Sequence, residues 1–255
     1  MIKGKILASD YDGTLNRRGI SERVRSAISD WQAMGNKFGI VSGRGLQNIT
    51  ALLKNDGIAC DFLIGNNGAV IGDREGNVLL YHTAPAEIGK RVAAFILTNG
   101  GRHASVNQLS GEYLIVDEER KARHSDDTYY KLLSEYDLSE EFTQISTVCE
   151  TCDAAMELTD LLNDRFAGKI TALVNGICID IVPYGVDKAT GISELASMWK
   201  IAYENVCTVG DNYNDVAMLK AFRSYAVANA VDYVKKIASA VVEDIAELCE
   251  KEKLL

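Results

Sequence analysis

Four short apolar runs, each stopping abruptly at a polar residue, constrain this chain more than any other feature of its sequence. They extend from Lys5 to Ser9 and stop at Asp10, from Lys37 to Val41 and stop at Ser42, from Asp61 to Ile64 and stop at Gly65, and from Asn205 to Val209 and stop at Gly210-Asp211. Runs of this length, bounded by turn residues and separated by helical patterns, read as parallel strands buried on both faces. The helical patterns are present. Ser21 is a good N-cap ahead of a stripe of Val24, Ala27, Ile28, Trp31 and Met34 that Gly35 closes, and Leu46 to Lys54 and Ala189 to Lys200 read the same way. The expected fold class is therefore α/β, with a doubly wound, mostly parallel sheet. In such sheets ligands bind beyond the carboxyl ends of the strands, so the polar residues that end the four runs are expected to share one crevice.

The middle of the chain has a different rhythm. The expectation there is a helix from Ile88 to Leu97, a hairpin of Arg102–Asn107 and Tyr113–Asp117 around Gly111, and a helix near Asp127 to Tyr136. A strand near Phe142 to Val148, a helix from Asp153 to Phe166 and a hairpin turning at Asn175-Gly176 follow. Helices with antiparallel hairpins describe an α+β module. The only two prolines, Pro85 and Pro183, stand at its two ends, and proline suits a junction because it stiffens the chain and cannot donate to a ladder. The expected organisation is a core of residues 1–83 and 184–255 with an α+β cap domain, 84–183, inserted between them.

Composition narrows the function classes. With 255 residues, 47% of them hydrophobic, the chain can bury one large α/β core or two separate ones. A net charge of −9 offers no broad electrostatic footprint for nucleic acid or an anionic membrane surface, so an anionic ligand must be captured locally. No apolar run approaches the roughly 20 residues of a membrane span, and no signal-peptide core opens the chain, so a cytoplasmic location is expected. The six cysteines (Cys60, Cys149, Cys152, Cys178, Cys207, Cys249) are scattered, and free thiols fit a reducing compartment. Cys149 and Cys152 form a C-x-x-C, but no second pair stands nearby to complete a zinc site.

Four clusters carry chemistry. Asp10-Tyr11-Asp12-Gly13-Thr14-Leu15 directly follows the first strand, and in extended chain both carboxylates face one way while Tyr11 faces the other. Alone, the hexapeptide is also compatible with an ordinary Asp-Gly turn. Gly210-Asp211-Asn212-Tyr213-Asn214-Asp215 follows the fourth strand, with Asp215 at the start of a helix, where an N-cap alone would also explain it. If both clusters converge, four carboxylates share one crevice, which requires a divalent ion; all-oxygen ligation favours Mg²⁺ over zinc or copper. Ser42-Gly43-Arg44 places a hydroxyl and free amides at a helix N-terminus, equally an anion site or a plain cap. Lys188 precedes another helix and can offset phosphoryl charge, though a solvated surface lysine is the plainer reading.

Together the four pieces resemble the haloacid dehalogenase superfamily of phosphohydrolases, whose motifs stand here in order as Asp10 to Leu15, Ser42 to Arg44, Lys188 and Gly210 to Asp215. An insert between the second motif and the lysine is similar to the C2-type cap of the Cof-like branch, rich in sugar-phosphate phosphatases. Asn67-Gly68-Ala69 and Asn229-Ala230 are similar to segments of that branch, although Ala228 stands where its usual glycine would be. The resemblance implies that Asp10 attacks phosphorus while Asp12 serves as acid and base. It further implies that Asp10, the Asp12 carbonyl and Asp211 hold Mg²⁺ with Asp215 in support, and that Ser42, Gly43, Asn214 and Lys188 hold the phosphoryl oxygens. The substrate implied is a small phosphorylated metabolite, selected by closure of the cap. His82, His103 and His124 are expected to be structural or solvent-facing. A phosphohexomutase-like phosphoryl transferase and a non-catalytic phospho-accepting module remain alternatives.

Overall fold

The computed structural model of the protein describes residues 4–253; the terminal residues 1–3 and 254–255 of the expected core lie outside them. The chain divides into two compact units, Met1–Leu80 with Asp187–Leu255, and Tyr81–Val186. The first unit opens with β1 (Ile6–Ser9), buried throughout, and α1 (Glu22–Ala33). The Ser21 hydroxyl caps α1 by accepting from the Val24 amide at 3.3 Å, and the helix buries Val24, Ile28 and Trp31. Met34, expected on the same stripe, is 51% exposed because the helix has ended before it. The Trp31 indole donates to the Lys37 carbonyl at 3.0 Å, locking the turn into β2 (Lys37–Val41). Next come α2 (Leu46–Asp56), β3 (Phe62–Gly65), β4 (Val70–Asp73) and β5 (Val78–Tyr81).

The second unit contains α3 (Ala86–Thr98), β6 (Ala104–Asn107), β7 (Glu112–Ile115), α4 (Glu118–Arg123) and β8 (Tyr130–Lys131), then β9 (Gln144–Val148), α5 (Cys152–Arg165), β10 (Ile170–Asn175) and β11 (Cys178–Pro183). Its six strands run in the order β10-β11-β9-β6-β7-β8, antiparallel except for the β7–β8 pair. Val92 and Ile96 of α3 and Leu158 and Leu162 of α5 meet Val106, Ile145 and Ile179 of the sheet in one apolar core. Strand positions alternating with these carry Ser105, Gln144, Ser146 and Asp180, linked by hydrogen bonds such as Ser146 Oγ to Asp180 Oδ1 at 2.7 Å. Pro85 is the N-cap of α3 and Pro183 the last residue of β11.

The helix expected near residues 127–136 does not form. Asp127 folds an Asx turn, accepting from the Tyr129 amide at 2.8 Å, and Tyr130 pairs with Leu114 across β7 and β8. The helix forms earlier, where Asp117 accepts from the Arg120 amide at 2.7 Å and caps α4. Tyr130 stacks on His124, with centroids 4.1 Å apart, and Arg120 lies over the same ring. All three histidines fall in this unit.

The chain returns to the first unit through α6 (Lys188–Trp199), β12 (Val206–Gly210), α7 (Val216–Ala221), β13 (Arg223–Val227), α8 (Asp232–Ile237), β14 (Ala240–Val242) and α9 (Ile245–Lys253). The resulting sheet has the order β14-β13-β12-β1-β2-β3-β4-β5, with every pair from β14 to β3 parallel and β4 antiparallel to β3. The chain moves from β1 to one side and comes back to fill the other. The order therefore reverses between β1 and β12, which sets Asp10 and Asp211 at neighbouring carboxyl ends.

At the amino ends of the same strands α9 delivers a buried carboxylate. Glu252, 2% exposed, accepts from Lys5 Nζ at 3.0 Å and the Tyr225 hydroxyl at 2.6 Å, with Arg223 at 3.4 Å. Burial alone would raise its pKa, but the hydrogen bonds from Tyr225 and Lys5 prevail and hold it below the usual range. A depressed folded-state pKa gives stability that is full above the unfolded value and lost as pH falls through the folded one. Glu252→Gln is expected to cost about 3 kcal/mol in urea unfolding at pH 7. The difference from wild type should narrow on acidification below pH 4 or so; a gap independent of pH would contradict the assignment.

Candidate active site

The site begins where β1 ends. The Asp10 amide donates to the Val209 carbonyl at 3.0 Å, carrying the β1–β12 ladder one residue further, and the Asp10 side chain is buried. The chain then turns tightly, with Asn16 N donating to the Tyr11 carbonyl at 2.9 Å and Gly13 N to the Asn16 carbonyl at 3.0 Å. Tyr11 points the opposite way from Asp10, buried, with its hydroxyl on Asp56. Gly13 has φ +85°, and a Cβ there would lie 2.5 Å from Asp211 Oδ2. Only glycine lets the loop after β1 lie against the loop after β12. The contact is completed by Thr14, whose hydroxyl donates to Asp211 Oδ1 at 2.8 Å.

Asp215 closes the loop after β12. Its Oδ2 accepts from the amides of Asp211 (2.8 Å) and Asn212 (3.0 Å), and its Oδ1 from Lys188 Nζ at 2.6 Å. Lys188, 0% exposed, also donates to Asp10 Oδ1 at 2.7 Å. Its position is fixed at the first turn of α6, where Asp187 caps the helix by accepting from the Thr190 amide at 2.8 Å. The chain at Asp187 also lies directly against Gly68, whose φ is +105° and whose Cβ would fall 2.0 Å from the Asp187 carbonyl.

One oxygen from each of Asp10, Asp211 and Asp215 lies within 4.8 Å of the others. Burial pushes the Asp10 carboxyl well above its usual range; Lys188 opposes this, and Asp215 and Asp211 push it further up. Burial, joined by Asp215, also raises Asp211 against the Thr14 hydrogen bond. Burial would lower Lys188, but Asp10 and Asp215 overcome it and hold the ammonium protonated. One lysine thus faces three carboxylates. The excess negative charge and the all-oxygen donor set fit a hard divalent cation, which would reverse the upward shifts.

Asp12 lies outside this cluster. Its two oxygens accept from Arg44, Nε at 2.6 Å and Nη2 at 2.9 Å, in a bidentate pair on half-exposed side chains. Ser42, at the end of β2, is buried and accepts from the Arg44 amide at 3.2 Å, with Gly43 between them. The Ser42 carbonyl accepts from the Asn67 amide at 2.9 Å, and Asn67 Oδ1 accepts from Asn214 Nδ2 at 3.2 Å. Asn67 is therefore the link between Ser42 and Asn214, held buried in the left-handed region at φ 49°. The sequence motifs contain Arg44, Thr14 and Asn67 without assigning them these contacts. Asn229 Nδ2 adds one more, donating to the Gly13 carbonyl at 2.8 Å.

Residues 7–247 match the family model of haloacid dehalogenase-like hydrolases. The phosphoglycolate phosphatase of Pyrobaculum islandicum is 40% identical over 78 residues, 31% of this chain and 34% of that protein. The 5-amino-6-(5-phospho-D-ribitylamino)uracil phosphatase of Bacillus subtilis is 26% identical over 246 residues, 94% of this chain and 90% of that one. Among solved structures, a sugar phosphatase of haloacid dehalogenase subclass IIB superimposes with a TM-score of 0.80 at 22% identity, covering 98% of this chain and all of the other, which attests the fold. The match over nearly the whole length, on a fold of the same kind, means that the chain belongs to the haloacid dehalogenase-like hydrolase family.

Proposed function

We propose that the protein is a Mg²⁺-dependent cytoplasmic phosphatase that hydrolyses a small phosphorylated metabolite, a sugar phosphate or a compound of similar size, through a phospho-aspartate at Asp10. The observation that carries this reading is the buried Lys188 bridging Asp10 and Asp215 beside Asp211. The phosphatase names of relatives that match this chain support the reaction class. The six unpaired cysteines suit a reducing compartment, and no described helix is long and apolar enough to cross a membrane.

Asp10, the Asp12 backbone carbonyl and Asp211 would hold the ion. Asp215 supports them from behind, since its oxygens are already engaged by Lys188 and two amides. When bound, Mg²⁺ supplies neutralising charge to the nucleophile and the phosphoryl oxygens. The Asp10 carboxylate attacks phosphorus, the bond to the leaving oxygen breaks, and that oxygen takes a proton from Asp12. Water then attacks the acyl phosphate, losing its proton to Asp12 and restoring Asp10. Because both Asp12 oxygens accept from Arg44 at rest, Asp12 gives up one of those contacts and takes a proton from solvent on that oxygen when substrate binds, and this is the proton it passes to the leaving oxygen. Lys188 remains protonated throughout, and with the Ser42 hydroxyl, the Gly43 amide and Asn214 it holds the phosphoryl oxygens.

Two outcomes test this. In a panel of phosphorylated sugars, nucleotides and cofactors, release of inorganic phosphate is expected to need Mg²⁺ and to stop with a chelator. Asp10→Asn should lower kcat at least about 10³-fold; undiminished turnover in either case refutes the proposal, and conversion of a hexose 1-phosphate to its isomer would indicate a mutase instead. Independently of turnover, Mg²⁺ is expected to raise the thermal midpoint of the wild type, by about 2–4 °C for each kcal/mol of binding linkage. That rise should vanish in Asp211→Asn; an equal rise in the variant would remove Asp211 from the ion site.

A further inference from the structure

Beside Gly13 the first unit holds an open cavity of about 600 Å³, lined by Gly13, Arg17, Arg18, Gly19 and Asn229. It adjoins the candidate active site directly, because Gly13 is the residue packed on Asp211 and Asn229 donates to its carbonyl at 2.8 Å. The volume falls within the range of small-metabolite pockets.

The two arginines are set on an anchored turn. Asn16 Nδ2 donates to the Tyr11 hydroxyl (3.1 Å) and to Asp56 (3.2 Å), and Asn16 Oδ1 accepts from the Gly19 amide at 3.0 Å. Gly19 takes φ +102°, and Ile20 behind it is buried. Residues 17 and 18 are thus presented, exposed, from a loop tied down on both sides.

Charge assigns the pair a role. The site's other cations are engaged at the point of transfer, Lys188 with Asp10 and Asp215 and Arg44 with Asp12. Among the described residues neither Arg17 nor Arg18 has an ion pair or a side-chain hydrogen bond. In a chain of net charge −9, two uncommitted guanidinium groups lining a cavity with Gly13, the residue packed on Asp211, are a local means of holding an anion. The phosphoryl group undergoing transfer must reach Asp10, which with Lys188 and Asp211 does not line this cavity, so the anion at the arginines is a different part of the molecule.

Resting on the phosphatase reading above, we propose that Arg17 and Arg18 form a subsite for a second anionic group, a carboxylate or another phosphate, and that the preferred substrates are phosphate esters carrying one. Arg17 and Arg18 are then specificity-determining residues that act on binding rather than on bond breaking.

The test compares esters that differ only in the second anion: 3-phosphoglycerate with glycerol 3-phosphate, and glucose 1,6-bisphosphate with glucose 6-phosphate. In the Arg17→Ala/Arg18→Ala double variant, KM for the doubly anionic member of at least one pair should rise about tenfold or more, well beyond the rise for its partner, while kcat changes little. The Arg17→Lys/Arg18→Lys variant should restore part of the preference. Equal rises for both members would show general attraction to the site and overturn the subsite, as would no rise. A second readout does not depend on turnover: in the Asp10→Asn background, calorimetry should show phosphonoacetate binding more tightly than methylphosphonate, and the two alanines should abolish the difference. Loss of that difference with no hydrolysis of any ester would sink the phosphatase reading alone, whereas a difference that survives the alanines would sink the subsite alone.

Discussion

The candidate site depends on one buried ammonium group. Asp10 and Asp215 reach the same point from opposite ends of the chain, and two carboxylates cannot share a buried position without opposite charge. Lys188 meets both at 2.6–2.7 Å. An uncompensated buried charge costs about 3–5 kcal/mol when its partner is removed, so the lysine is a condition of the arrangement and not an addition to it. Its own placement follows from backbone constraints: Asp187 caps α6 one residue earlier, and the glycine at position 68 lets the turn after β3 lie against that cap. The fold thus fixes the charge before any ligand arrives. Three carboxylates against one lysine leave the site short of positive charge by an amount a divalent ion supplies.

Much of the sheet was legible because burial on both faces writes a continuous apolar run, and the four runs correspond within a residue or two to β1, β2, β3 and β12. Their abrupt polar ends locate Asp10, Ser42 and Asp211 at the carboxyl edge. Elements whose stability comes from context were harder to read. β4 and β5 are also short apolar runs, but they follow β3 with no helix between them, and β5 is largely exposed. Between residues 118 and 136 polar caps decide the local structure: Asp117 starts a helix and Asp127 turns the chain, so a weak helical periodicity was outvoted by two aspartates. Burial of Lys188 was invisible for a related reason, since nothing local in Asp187-Lys188-Ala189 distinguishes a core lysine from a solvated one. Only the partners, Asp10 178 residues away and Asp215 27 residues away, make it one.

The two aspartates of the first motif show how a single turn separates two environments, each suited to the role proposed for it. Asp10 continues the β1–β12 ladder, is buried, and has one oxygen fixed by Lys188. Asp12 is two residues on, half-exposed, and held by Arg44 across an ion pair of the kind worth about 0–1 kcal/mol at a surface. A nucleophile benefits from a fixed direction of attack, because misplacement by even 1 Å is costly in rate. An acid–base group must instead approach first one oxygen and then another. The weak, exposed Asp12–Arg44 contact permits that movement, whereas the buried Asp10–Lys188 contact forbids it. The ladder ends at Asp10, and Gly13, at φ +85° immediately after Asp12, completes the turn while staying in contact with Asp211.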